Sequence, residues 1–138
     1  QTLGYGLTDS PAGLAGWIVE KFRAWTDNNG SPEDALTRDQ ILTNVSVYWF
    51  TKTINSSIRL YCESSRTHRC GPSGEYVAAP TAAAVFPKEI FRPSRRWVES
   101  RFTDLRYFNE LDRGGHFAAF EQPELFVAEV RDAFRSVR

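Results

Sequence analysis

Leu105-Arg106-Tyr107-Phe108-Asn109-Glu110-Leu111-Asp112-Arg113-Gly114-Gly115-His116-Phe117-Ala118-Ala119-Phe120-Glu121 decides the reading of this chain. Its first five residues have the length and apolar content of a buried strand. A glycine pair with a histidine behind it follows, and Pro123 then opens a helix whose Leu125, Phe126, Val130, Phe134 and Val137 recur on one side. Strand, glycine-rich loop and helix in that order make an α/β unit, and open α/β sheets place their sites in loops at the carboxyl ends of the strands. The paired glycines permit backbone angles or close approaches that a bulkier residue forbids. His116 is therefore the first candidate for chemistry, whereas His68, in polar Ser-Ser-Arg-Thr surroundings, is given no role.

The same alternation extends upstream. Tyr76-Val77-Ala78-Ala79-Pro80 is short, apolar and closed by proline, and reads as an earlier strand. Ser94 is of a type that can cap a helix through Trp97 and Val98. Strand–helix–strand–helix implies parallel pairing with right-handed crossovers, and two strands alone cannot make a stable sheet, so strands from elsewhere are expected to complete it. Before Gly74 the pattern is helical. Asp9-Ser10-Pro11 supplies a cap and a proline at the first helical position, and Leu14, Trp17, Ile18, Phe22 and Trp25 then predict a helix of about 15 residues. Asp27-Asn28-Asn29-Gly30-Ser31-Pro32 breaks it. Thr37 and Gln40 stand at capping-box spacing before Ile41, Leu42, Val45, Tyr48 and Trp49, and a shorter helix is expected over 56–63.

Bulk properties exclude several classes of partner. Seventeen basic side chains balance seventeen acidic ones, which leaves no electrostatic footprint for nucleic acid or an anionic membrane. A small neutral substrate fits that balance. Cys62 and Cys70 form neither a CxxC nor a Cys/His pattern and read as ordinary thiols, so neither a metal nor a cofactor is expected. No apolar run approaches the length of a membrane span, and the start at Gln1 has no signal-peptide character. A cytoplasmic, bacterial-type protein is expected, with Gln1 suggesting an excised piece.

A histidine acting as base needs a partner that fixes its tautomer and stabilises the imidazolium. Glu89, in the loop Phe86-Pro87-Lys88-Glu89 after the earlier strand, is the leading candidate, because parallel neighbours bring both loops to one edge of the sheet. Asp104, Glu110, Asp112 and Glu121 compete with it on sequence distance. No G-x-S-x-G elbow occurs in the 138 residues, which removes a complete serine-hydrolase triad from this chain.

Several stretches together resemble the microsomal-type epoxide hydrolases: Gly6-Leu7-Thr8-Asp9-Ser10-Pro11-Ala12-Gly13-Leu14-Ala15, Trp17-Ile18-Val19-Glu20-Lys21-Phe22, Leu42-Thr43-Asn44-Val45, Tyr48-Trp49, and Gly114-Gly115-His116-Phe117-Ala118-Ala119-Phe120-Glu121. Separate motifs in one order at compatible spacing are harder to obtain by accident than a single pattern. The resemblance implies the C-terminal half of an α/β-hydrolase fold: a helical lid segment over 1–66, a linker over 67–74, and the last two parallel strand–helix units over 75–138.

It also implies a two-step reaction, in which an aspartate opens an epoxide to a covalent alkyl ester and water then cleaves that ester to a vicinal diol. By motif position His116 is the base that activates water and Glu89, in Phe-Pro-x-Glu, is its acid. Tyr61, in Ser57-Ile58-Arg59-Leu60-Tyr61-Cys62-Glu63, matches a lid tyrosine that hydrogen-bonds the epoxide oxygen. The aspartate and the first lid tyrosine have no counterpart here, and Tyr5 lies too close to the Asp-Ser-Pro helix start to be that tyrosine. The chain alone is thus expected to be inactive, and its apolar faces to drive self-association or pairing with the missing N-terminal half. Another α/β-hydrolase activity, such as a dehalogenase or esterase, and a non-catalytic interaction module are the alternatives.

Overall fold

Ser10 and Pro11 separate two helices, α1 (Thr2–Asp9) and α2 (Pro11–Trp25). The Ser10 hydroxyl accepts the Gly13 amide at 3.0 Å, and Pro11 occupies the position where a missing N–H costs nothing. Leu14, Ile18 and Phe22 form the buried face of α2. The spacing predicts α2 but not α1, whose two glycines lower helix propensity and whose start carries no signal; α1 is held instead by packing on α4 (Ile54–Thr67). Between α2 and α3 (Arg38–Thr51), a 3₁₀ turn at Pro32–Asp34 is capped by Ser31. The capping box expected at Thr37 is complete: Thr37 Oγ1 accepts the Gln40 amide at 3.2 Å and Gln40 Oε1 accepts the Thr37 amide at 2.8 Å. α3 ends at Lys52, whose φ of 57° lies in the left-handed region. α4 runs beyond the expected 56–63 at both ends, and at its start Ile54 is buried in the first turn.

This computed structural model describes residues 2–67 and 76–135. His68, Cys70 and the expected linker from residue 68 onward lie outside the described residues; Cys62 is exposed. The described residues form two compact units, one of 2–24 and 36–67 and the other of 25–35 and 76–135. Residues 25–35, inside the span that the resemblance gives to the lid, group with the second unit.

In the second unit β1 (Thr81–Val85) and β2 (Leu105–Glu110) pair in parallel, with Ala82 opposite Tyr107 and Val85 opposite Glu110. The upstream strand therefore starts after Pro80, not at Tyr76. Val77 makes an isolated bridge to Phe102, and Thr81, whose amide donates to the Asp104 carbonyl at 2.8 Å, is the first residue of the ladder. Proline has no hydrogen to give such a ladder and so stands at its threshold. The alanines of β1 lack the β-branched content by which strands are read.

α5 (Arg95–Arg101) crosses between the strands, and α6 (Ala118–Glu121) and α7 (Pro123–Arg135) follow β2. Alternate side chains of β2 meet opposite helices. The Arg95 guanidinium of α5 lies 5.8 Å from the Phe108 ring centre on one face. On the other, Glu129 of α7, buried, accepts the Tyr107 hydroxyl and the Asn109 amide, each at 2.9 Å. Burial, and then the Glu129 carboxylate, push the Tyr107 phenol above its ordinary value. The result is a parallel α/β sheet with a helix on each face, as expected of the fold class. Large apolar side chains stay exposed in both units, among them Leu42, Val47 and Phe50 in the first and Trp97, Val130 and Phe134 in the second.

Candidate active site

β1 and β2 run in the same direction, so the loops that leave them emerge at one edge of the sheet. Backbone bonds tie those loops together. The Leu111 amide donates to the Val85 carbonyl at 2.9 Å, and the Lys88 amide to the Gly114 carbonyl at 3.1 Å. One residue past Lys88 is Glu89; one past Gly115, which bridges Lys88, is His116. The contact that follows from this register is short: His116 Nδ1 lies 2.6 Å from Glu89 Oε1, with both side chains about one-third exposed (38% and 30%). Glu89 Oε1 also accepts the Ile90 amide at 2.7 Å, which fixes the carboxylate.

An ionised carboxylate can only accept, so the neutral imidazole carries its hydrogen on Nδ1 and presents the lone pair of Nε2. Aromatic edges confine the ring: Trp25 and Phe117 stand T-shaped to it, with centroids at 5.3 Å and 5.0 Å.

The two glycines before His116 answer different demands. Gly114 has a φ of 102°, and a Cβ there would fall 2.7 Å from Cδ1 of Phe86. At Gly115 the requirement is close approach, since a Cβ would fall 2.5 Å from the Trp25 carbonyl oxygen and 2.9 Å from the Asp27 nitrogen. That approach lets the turn after α2 grip the histidine loop. The His116 amide donates to the Trp25 carbonyl at 2.8 Å, and the Gly114 amide to Asp27 Oδ2 at 2.9 Å. Glu121, buried, accepts the amides of Gly115, Phe117 and Asp27 at 3.1, 3.0 and 2.7 Å.

The structure thus brings Glu89 to His116 and gives the rival acids other surroundings. Asp104 holds the Arg106 guanidinium at 2.9 Å and raises its pKa, Glu121 serves backbone amides, and Glu110 and Asp112 are exposed. Tyr61 stands on α4 in the first unit, 67% exposed. Sequence alone shows Asp27 only as part of a helix break, because nothing local announces a partner 87 residues away. Glu121 was legible only as an acid near His116. Among the described residues no group of three or more His, Cys, Asp or Glu is placed to hold a metal ion, and no helix is long and apolar enough to cross a membrane.

No protein-family model matches the chain. It is similar over its full length, at 52% identity, to a Stigmatella aurantiaca protein named provisionally as an epoxide hydrolase, of which it covers 31%. Over 94% of the chain it is 38% identical to epoxide hydrolase 1 of Sus scrofa, of which it covers 30%. Among solved structures, the juvenile hormone epoxide hydrolase of Bombyx mori superposes with a TM-score of 0.85 at 36% identity, covering 96% of this chain and 36% of that one. The epoxide hydrolase of Aspergillus niger gives 0.82 at 30% identity, covering all of this chain and 33% of the other. The chain therefore spans about a third of the relatives it matches, less than the half expected, and those relatives come from bacteria, mammals, insects and fungi.

Proposed function

Because the chain belongs to the epoxide hydrolases of the α/β-hydrolase fold and corresponds to their C-terminal part, we propose that it supplies the base, the orienting acid and a lid phenol to an enzyme that opens epoxides to vicinal diols. The observation that carries this reading is the 2.6 Å contact between His116 and Glu89 at the carboxyl edge of the sheet. An aspartate outside these residues attacks a ring carbon, the ring C–O bond breaks, and its electron pair stays on the oxygen. Tyr61 donates a hydrogen bond to that oxygen as charge develops, the requirement for opening the ring near neutral pH.

That oxygen then takes up a proton from solvent, and the product of this step is a hydroxyalkyl ester. His116 Nε2 takes a proton from water as the water attacks the ester, and Glu89 stabilises the imidazolium. The acyl–oxygen bond of the ester breaks, the imidazolium returns its proton to the departing alkoxide to complete the diol, and the aspartic acid loses its proton to solvent, so that the carboxylate and the neutral imidazole are restored. The substrate class is a small neutral epoxide, in keeping with the chain's charge balance. The exposed apolar faces pair with the rest of the fold or with one another.

Complementation tests the reading. The chain is co-expressed with the portion of the Stigmatella relative that it does not cover, and diol formation from styrene oxide is followed. The chain alone should give no diol, and the complemented protein should turn over. With His116→Ala the complemented protein should stop at the ester, seen as a mass increase of one substrate on the partner. Diol made by the chain alone, or undiminished turnover by the His116→Ala form, would overturn the reading. Failure of the complemented wild type would return the chain to the class of non-catalytic modules.

A further inference from the structure

We propose that Glu121 and Asp27 are positioning residues for the His116 base; the proposal rests on the reading of His116 given above. Four successive backbone amides, those of Gly114, Gly115, His116 and Phe117, each donate to a defined acceptor, and for three of them it is a carboxylate oxygen. Glu121 uses both oxygens: Oε1 accepts from Phe117, and Oε2 from both Gly115 and Asp27. The acid that grips the loop therefore also grips the segment carrying the second acid. A carboxylate is retained out of water only where several donors satisfy it, and charge-assisted bonds are the strongest a loop can make.

The bonds fall on the amide of the base and on both its neighbours, so the backbone on either side of His116 is fixed. Only the ring torsions are left to Glu89, Trp25 and Phe117. A base must hold its proton acceptor within a few tenths of an ångström of its working position, and supporting contacts decide whether it does. In Glu121→Gln the same shape would turn an NH₂ group toward at least one of the amides, donor against donor. Asp27→Asn makes a milder change of the same kind at Gly114.

The test compares wild type, Glu121→Gln, Asp27→Asn and His116→Ala in the complemented protein. Ester formation and ester hydrolysis are measured separately per folded molecule, and the Nδ1 proton of His116 is observed by NMR. In Glu121→Gln, hydrolysis should fall by up to the order of 10²-fold expected of a base misplaced by about 1 Å, with ester formation nearly unchanged. The downfield Nδ1 proton should broaden or move upfield. Asp27→Asn should show the same pattern more weakly. A merely structural role would lower the folded fraction and leave both rates per folded molecule alone; that result, with an unmoved Nδ1 proton in both variants, overturns the proposal. The proton signal needs no turnover, so it decides even in a slow protein. Wild-type ester hydrolysis by His116→Ala would instead overturn the reading of the base, and this proposal with it.

Discussion

Replacing Gly115 by alanine should be among the most damaging single-methyl changes in the molecule. The added Cβ would lie 2.5 Å from the Trp25 carbonyl oxygen, 2.9 Å from the Asp27 nitrogen and 3.0 Å from Glu121 Oε1. Ordinary contact needs about 3.5 Å, so the loop must retreat from the turn by roughly 1 Å. The 2.8 Å bond from the His116 amide to Trp25 does not survive that shift, nor do the bonds from Gly115 and Asp27 to Glu121. At about 1 kcal/mol for the neutral bond and about 1.5–3 for each bond to a carboxylate, partial relaxation leaves a loss of roughly 4 kcal/mol. Gly16→Ala is the matched control, because Gly16 lies inside α2 with nothing within 4 Å of its Cβ position, and it should stabilise by about 0.5–1 kcal/mol. Urea unfolding followed by circular dichroism reads both. Two substitutions of identical chemistry should thus move stability in opposite directions. A Gly115→Ala form within about 1 kcal/mol of wild type would refute the close approach on which the loop's geometry depends.

Thr37→Ala removes one half of the capping box and should cost about 1 kcal/mol in the same unfolding measurement. Tyr107→Phe leaves Glu129 buried with the Asn109 amide alone and should cost about 1–3 kcal/mol. It should also change the alkaline limb of a thermal-melt series: the folded phenol titrates above its ordinary value, so its contribution is whole below about pH 10 and is lost as pH rises through the folded pKa. The phenylalanine form should lose less stability over that range. Tyr61→Phe, at an exposed position, should leave stability within about 0.5 kcal/mol, and under the proposed reaction it should slow ester formation more than ester hydrolysis in the complemented protein.

Features written in neighbouring residues were legible in the sequence, and features that join distant segments were not. Thr37 and Gln40 specify their capping box within one turn, and Ser10-Pro11 starts α2, because both signals act over three or four residues. β2 was readable from its apolar run. β1 was not, since a run of alanines becomes a strand only through the ladder that β2 offers it, and that is a tertiary decision. Glu89 could be ranked above its rivals once two parallel strands were inferred, because topology alone carries their loops to one edge. The grip of Asp27 and Glu121 on the histidine loop lay beyond sequence reasoning, for no local pattern links residue 27 to residue 114. The glycine pair marked where such a grip would occur without saying what made it.

Trp25 stands edge-on to His116, its ring centre 5.3 Å away. An imidazolium quenches indole fluorescence at such range and a neutral imidazole does so far less, so this tryptophan is an intrinsic optical probe of the proton on the neighbouring ring. With Trp17, Trp49 and Trp97 changed to phenylalanine, the emission of the remaining chromophore would follow the charge of that imidazole in real time, with no label attached near it.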